Sequence, residues 1–274
     1  MFGHCKFETE MTLLTFHSPA KVNLTLDVLG RDDATDYHLV QTILHEAPDF
    51  YDELTFERRP TSEVTLDAGP FALPPNNTIT RAARLLQTHT KTAHGARITL
   101  VKKIPLGSGL GGPASNAATT LKALNQLWEL NVPDPTLRQL ATQIGMDVPF
   151  FITGGCAIAM HYGEQLEHLP TLDRFGFALE IIPTDISVLT PNAYATLDLT
   201  LSGQRNRDTG RLVHLLKKYG PPTQDELAEI PTLLHNDFAS QFFALHPDLH
   251  EKYPNAHLSG TGGSLFRLQQ VHPR

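Results

Sequence analysis

The chain has 274 residues, 41% of them hydrophobic and 19% charged, enough for a packed core and unlike disordered or collagen-like sequences. At roughly 150 residues per domain, this length makes one large domain or two modest ones. A net charge of −7 disfavours non-specific binding to nucleic acid, and two cysteines, Cys5 and Cys156, are too few for a disulfide framework or a cysteine-rich zinc site.

The opening residues 1–11, MFGHCKFETEM, carry charges where a signal peptide needs an apolar run, and Met11 reads as an alternative start. No stretch approaches the ~20 apolar residues of a membrane span. We therefore expect a soluble, cytoplasmic protein with no membrane partner. Short runs rich in Val, Leu, Thr and Phe predict strands at 12–16, 21–29, 39–45, 53–58 and 63–67. Alternation over 22–28 predicts a sheet with one covered face. A helix follows Asn76-Asn77, capped by Asn77 or Thr78, with Ile79, Ala82, Ala83, Leu85 and Leu86 as its apolar stripe. A strand at 97–104 and a glycine-rich turn precede a helix over about 113–130, where Ala114, Ala117, Ala118, Leu121, Leu124 and Trp128 fall at helical spacing.

Asp134-Pro135 opens the next helix as cap and first-turn proline, and Gly145 closes it. Strands are predicted at 156–161 and 177–182, and helices at 211–219, 224–229 and 237–245. Residues 203–210 read as a polar surface turn, and 257–266 as a second glycine loop leading into a strand at 265–268. Strands first, then helices, then strands again argue for an α+β fold rather than regular α/β alternation.

The most informative stretch is Pro105-Leu106-Gly107-Ser108-Gly109-Leu110-Gly111-Gly112-Pro113-Ala114-Ser115. Its glycines allow positive φ and close approach of a ligand to the main chain. Free amides and the following helix dipole favour an anion, a phosphate first of all. The plainer alternative is a tight turn with no ligand. Gly107, Gly109 and Gly112 satisfy G-x-G-x-x-G, but no acidic residue ends a second strand some 20 positions on, as a dinucleotide fold needs. No Gly-Lys-Ser/Thr follows, no His-Arg-Asp or Asp-Phe-Gly occurs, and Leu106 spoils a nucleophile elbow at Ser108.

The loop resembles the phosphate loop of the GHMP kinases. Ser18-Pro19-Ala20-Lys21-Val22-Asn23-Leu24, Asp36-Tyr37-His38 with Gln41-Thr42, Gly145-Met146-Asp147-Val148-Pro149 and Ser259-Gly260-Thr261-Gly262 resemble further motifs, in order, of the family's branch that acts on CDP-linked methylerythritol. The resemblance implies a two-domain α+β fold, 1–155 binding ATP and 156–274 on the substrate side, with the site between them. It also implies ATP, with Mg2+, as phosphoryl donor and a hydroxyl of CDP-linked methylerythritol as acceptor, in isoprenoid precursor synthesis. The alternatives are another GHMP kinase, of the homoserine or mevalonate type, or an inactive binding protein of this fold.

By the same resemblance, Asp147 is the base that takes the hydroxyl proton, whereas alone it reads as a helix cap. Lys21 holds Asp147 ionised and neutralises the transferring phosphoryl. Tyr37 and His38 meet the cytosine, Asn23 and Thr190 contact substrate, and Asn77 and Lys102 lie near the adenine. No protein metal ligands are expected, and the chain is expected to be a monomer or weak homodimer. Pro113-Ala114 replaces the family's usual Gly-Ser or Ser-Ser, so Ser115 is expected to supply the missing hydroxyl. Thr35-Asp36 replaces Asp-Gly before Tyr37, and the C-terminal domain is expected to be short at its end.

Overall fold

The computed structural model describes residues 13–197 and 206–271. Its centre is a pair of long antiparallel strands, β1 (Leu13–Arg31) and β2 (His38–Arg59). Sequence reading predicts four shorter strands here, and Thr12 of the first lies outside the described residues. Register shifts at Pro19/Ala20, Asn23/Thr25 and Val28/Gly30 absorb the residues that break the pattern, so pairing continues through them.

β2 pairs with β1 on one side. On the other side its second half pairs with β4 (Gly95–Val101) and its first half with β5 (Cys156–His161). β3 (Val64–Asp67) runs parallel to β4, and β6 (Gln165–Leu169), which sequence reading misses, closes a hairpin with β5. β8 (His235–Asn236) joins β1 in parallel at Thr25 and Leu26, completing seven strands. A separate three-stranded sheet has the order β7 (Phe177–Ile182), β10 (Leu265–Gln270), β9 (His257–Leu258). The expected division at 155/156 therefore does not fall between sheets, because β5, β6 and β8 extend the first one.

Helices α1 (Thr78–Thr90), α2 (Gly112–Leu127), α3 (Asp134–Thr142) and α4 (Val148–Thr153) share one core with Leu54, Phe56, Ile98 and Leu100 of the sheet. A second core holds Ala20, Val22 and Leu24 against α6 (Asn206–Lys217), and a third holds Leu26 and Val28 against α8 (Ala239–Leu245). The remaining helices are α5 (Thr190–Thr196), α7 (Gln224–Glu229) and α9 (Pro247–Lys252). Among the described residues, no helix is long and apolar enough to cross a membrane.

The single covered face expected for 22–28 is corrected: every residue from Ala20 to Val28 is buried. The polar side is covered because its groups satisfy one another. Lys21 donates to Asn23, Asn23 to Thr42, and Thr42 to the Thr25 carbonyl, while Asp27 accepts from Thr209 and His235. The surface turn expected at 203–210 is also corrected. Residues 203–205 lie outside the described set, but 206–210 begin α6, and Thr209 is fully buried against Asp27. Asn77 caps α1, accepting from the amides of Ile79 and Thr80. Asp134 makes no capping bond, and α3 stops at Thr142, before Gly145.

Candidate active site

The turn from β4 through Lys102 and Ile104 delivers the glycine-rich loop to the start of α2. Every carbonyl from Gly107 to Leu110 is engaged by the protein. Gly107 O accepts from Val188 N at 2.9 Å, Ser108 O from Ser264 N at 2.9 Å, and Leu110 O from Lys21 N at 3.0 Å. Gly109 O accepts from Lys21 Nζ at 2.9 Å and Ser259 Oγ at 3.1 Å. The amides of Gly107, Ser108, Gly109, Leu110 and Gly111 meet no protein acceptor among the described residues. A loop whose carbonyls face the protein and whose amides are free, set at a helix N-terminus, is an anion cradle.

The glycines serve this arrangement from behind. At Gly109, with φ +75°, a Cβ would lie 2.1 Å from the Ser259 carbonyl oxygen. At Gly107, with φ +67°, it would lie 2.1 Å from Ser187 Oγ. Close packing between the two glycine loops, rather than room for a ligand, is what requires Gly109.

The loop borders a cleft of about 1030 Å³, which Pro105, Gly107, Ser108, Gly109, Gly111, Gly112, Pro113 and Ala114 line. Leu106, Leu110 and Ser115 do not. Leu106 is exposed, and Leu110 is buried beneath the loop. Ser115 is buried and accepts from Ser18 Oγ at 2.7 Å, so it does not replace a hydroxyl in the cleft.

Lys21, Asn23 and Asp147 share that cleft. Lys21 is 4% exposed, and its ammonium donates to Asn23 Oδ1 at 2.6 Å as well as to the loop. Asn23 in turn donates to Thr42 Oγ1 at 2.8 Å, which fixes its carboxamide. Asp147 occupies the position before α4, yet its side chain caps nothing, so the helix-cap alternative fails. Lys21 and Asp147 form no ion pair at contact distance among the described residues. Their charges still interact: burial lowers the Lys21 pKa from its usual value, and the Asp147 carboxylate opposes that fall.

At the far end of the cleft, His38 stacks on Tyr194, with ring centroids 4.3 Å apart and planes 28° apart. Burial and then the Arg31 charge lower the His38 pKa, against the pull of Asp36. Its ring is therefore neutral at neutral pH, an apolar face with one donor and one acceptor. Tyr37, 55% exposed, leans on Tyr162 at 5.4 Å. Asp36 takes φ +67°, a conformation that glycine adopts more readily, and Arg31 pairs with its carboxylate at 2.6 Å. Thr190 bonds Thr261 of the late glycine loop at 3.3 Å.

Sequence reading misses Tyr162 and Tyr194. Tyr194 had a signal, since it follows Thr190 by one helical turn and so shares its face. Burial and the Asp147 carboxylate raise its pKa. Tyr162 sits on the unpredicted hairpin.

Two residues expected near the adenine do not line the cleft. Asn77 is committed to capping α1 and does not line the cleft. The side chain of Lys102 is 3% exposed and pairs with buried Asp52 at 2.7 Å, so it is part of the interior. Burial lowers its pKa, partly offset by Asp52. The cause in both cases is a partner that no local pattern reveals.

A family model described as "GHMP kinases N terminal domain" matches residues 77–155, which include the loop and Asp147. A 4-diphosphocytidyl-2-C-methyl-D-erythritol kinase of Gloeobacter violaceus is 34% identical over 269 residues, covering 94% of this chain and 86% of that protein. The chain belongs to this kinase family. A namesake from Paraburkholderia xenovorans is 40% identical over 188 residues, 68% of this chain but 60% of its own length, so the match there spans less than two thirds of the relative. A crystal structure of 4-(cytidine 5'-diphospho)-2C-methyl-D-erythritol kinase matches with a TM-score of 0.72 at 29% identity, covering 94% of this chain and 91% of that one. The α+β, GHMP-type fold expected from the sequence is thus the one found.

Proposed function

We infer that the protein transfers a phosphoryl group from ATP to the 2-hydroxyl of 4-diphosphocytidyl-2-C-methyl-D-erythritol, a step of isoprenoid precursor synthesis. One observation carries the reading: a loop with free amides and an uncapped carboxylate, Asp147, open into the same cleft. The loop amides and the α2 N-terminus hold phosphate oxygens of ATP. Asp147 accepts the proton of the attacking hydroxyl, and Lys21 offsets the negative charge gathered between donor and acceptor. Asn23 fixes the Lys21 ammonium and so its aim. Thr190 and the late glycine loop bound the acceptor from the opposite side.

The aromatic end of the cleft favours this acceptor over homoserine or mevalonate, because His38 and Tyr194 offer stacking faces suited to a nucleobase. An inactive binding protein would have no use for a carboxylate, Asp147, that makes no ion pair among the described residues and lines the same cleft as the glycine-rich loop. Among the described residues, no cluster of three or more His, Cys, Asp or Glu is arranged to hold a metal. Mg2+ would enter with ATP, held by the nucleotide phosphates and water, where it would screen phosphate charge. We place the enzyme in the cytoplasm as a monomer or weak homodimer that takes small-molecule substrates only.

The test is ADP release with CDP-methylerythritol, homoserine and mevalonate as acceptors. Turnover with the first alone is expected. Faster turnover with either of the others, or none with any, overturns the reading.

A further inference from the structure

Behind the phosphate loop lies a carboxylate that no part of the reaction uses. Asp52, on β2, is fully buried and accepts four hydrogen bonds. Its Oδ1 takes the amides of Lys103 at 2.7 Å and Ile104 at 2.8 Å. Its Oδ2 takes Lys102 Nζ at 2.7 Å and Asn116 Nδ2 at 3.0 Å. Residues 102–104 lead into the loop, and Asn116 lies one turn into α2, just past it. One carboxylate thus ties the two ends of the loop together.

Two further observations point the same way. Asp52 pairs in register with Ser18 of β1, and Ser18 reaches Ser115, the neighbour of Asn116. The strand pair therefore grips the first turns of α2 at adjacent residues. The Lys102 ammonium also lies 3.1 Å from where a Cβ on Gly112 would be, directly under the α2 N-terminus. A lone cation there would oppose the helix dipole, and Asp52 neutralises it.

We propose that Asp52 is a positioning residue for ATP. It sets the distance and angle between loop and helix so that the free amides converge on one phosphate group, without touching the nucleotide itself. The proposal rests on the reading that this loop binds ATP. A buried carboxylate with four donors is also an ordinary way to stabilise a fold, so the test must separate ligand affinity from stability.

Asp52→Asn keeps the shape but turns an acceptor into a donor facing Lys102 and Asn116. Asn116→Ala removes one donor and leaves the buried ion pair intact, which guards against a variant that does not fold. Calorimetry with a non-hydrolysable ATP analogue, on protein shown folded by circular dichroism, gives affinity. Steady-state kinetics gives KM for each substrate. We expect affinity for the analogue to fall about tenfold in Asp52→Asn and about threefold in Asn116→Ala. KM for CDP-methylerythritol should stay within about twofold of the parent in both. If the folded variants bind the analogue as the parent does, or lose both substrates equally, Asp52 is structural only and the proposal falls. If the parent itself binds no analogue, the phosphate-loop reading falls and takes this proposal with it.

Discussion

Replacing Gly109 with alanine adds one methyl group where two backbones meet. The new Cβ would lie 2.1 Å from the Ser259 carbonyl oxygen, 2.9 Å from its carbon and 3.0 Å from the Gly262 oxygen, and none of these is a flexible side-chain tip. The residue also sits at φ +75°, which costs a non-glycine residue about 1–2 kcal/mol. Forcing the two loops apart adds about 1–3 kcal/mol, by analogy with overpacked cores. If the bound state must restore the native loop, these costs weaken ATP binding by roughly 30- to 5,000-fold. The control is Gly210→Ala in α6, where a Cβ meets nothing within 4 Å and helix propensity favours alanine by up to about 1 kcal/mol. Calorimetry with a non-hydrolysable ATP analogue, paired with thermal melts, reads both effects. A Gly109→Ala protein that binds the analogue like its parent would show that the loop's shape does not depend on the late loop, and the reasoning would be wrong.

Asp147→Asn should lower kcat about 100-fold or more while leaving the melting temperature unchanged, since this carboxylate caps no helix; near-parental turnover would remove it from the mechanism. His38→Ala should raise KM for CDP-methylerythritol about 2- to 12-fold, the value of one stacking contact, with KM for ATP unchanged. His235 has acceptors at both ring nitrogens, Leu233 O at 3.0 Å and Asp27 Oδ1 at 2.9 Å, so it is held as an imidazolium. Burial, the largest single influence, lowers its pKa, but Asp27, the Leu233 carbonyl and Asp208 together outweigh it and the net shift is upward. Its stabilisation is therefore complete below the ordinary value of about 6.5 and is lost as pH rises through the raised native value. Melts of the parent and of His235→Gln should converge toward alkaline pH, and parallel curves would refute this. In a Cys5→Ser background, Cys156, whose thiol burial pushes up to about 12, should resist a thiol reagent until the protein unfolds; rapid labelling of the native protein would contradict its burial.

Features carried by neighbouring residues were legible in the sequence. β5, β7 and α7 fall at the predicted boundaries, and Asn77 caps the helix it precedes. The glycine-rich turn was legible because glycine and proline density marks the passage from a strand, β4, to a helix, α2. The continuity of β1 and β2 was not, because bulges let a strand pass through Pro19 and Gly30 while the pattern is broken there. The burial of the polar face of β1 was hidden for a related reason. A row of Lys21, Asn23, Thr25 and Asp27 looks solvated until its partners arrive, and Thr209 and His235 arrive from some 200 positions away. The buried pairing of Lys102 was hidden in the same way, as its partner Asp52 lies 50 residues earlier on another strand.

The contact between the two glycine loops also sets when the nucleotide site comes into being. The Gly109 carbonyl is held partly by Ser259, 150 residues later, and the Ser108 carbonyl by Ser264. At about 5–20 residues per second, a ribosome needs roughly 8–30 s to make the intervening chain. Throughout that interval the glycine-rich loop has been made, but the Ser108 carbonyl lacks its partner and the Gly109 carbonyl has Lys21 alone. On the proposed reading, ATP therefore meets a loop whose shape is complete only after residues 259–264 have docked against it.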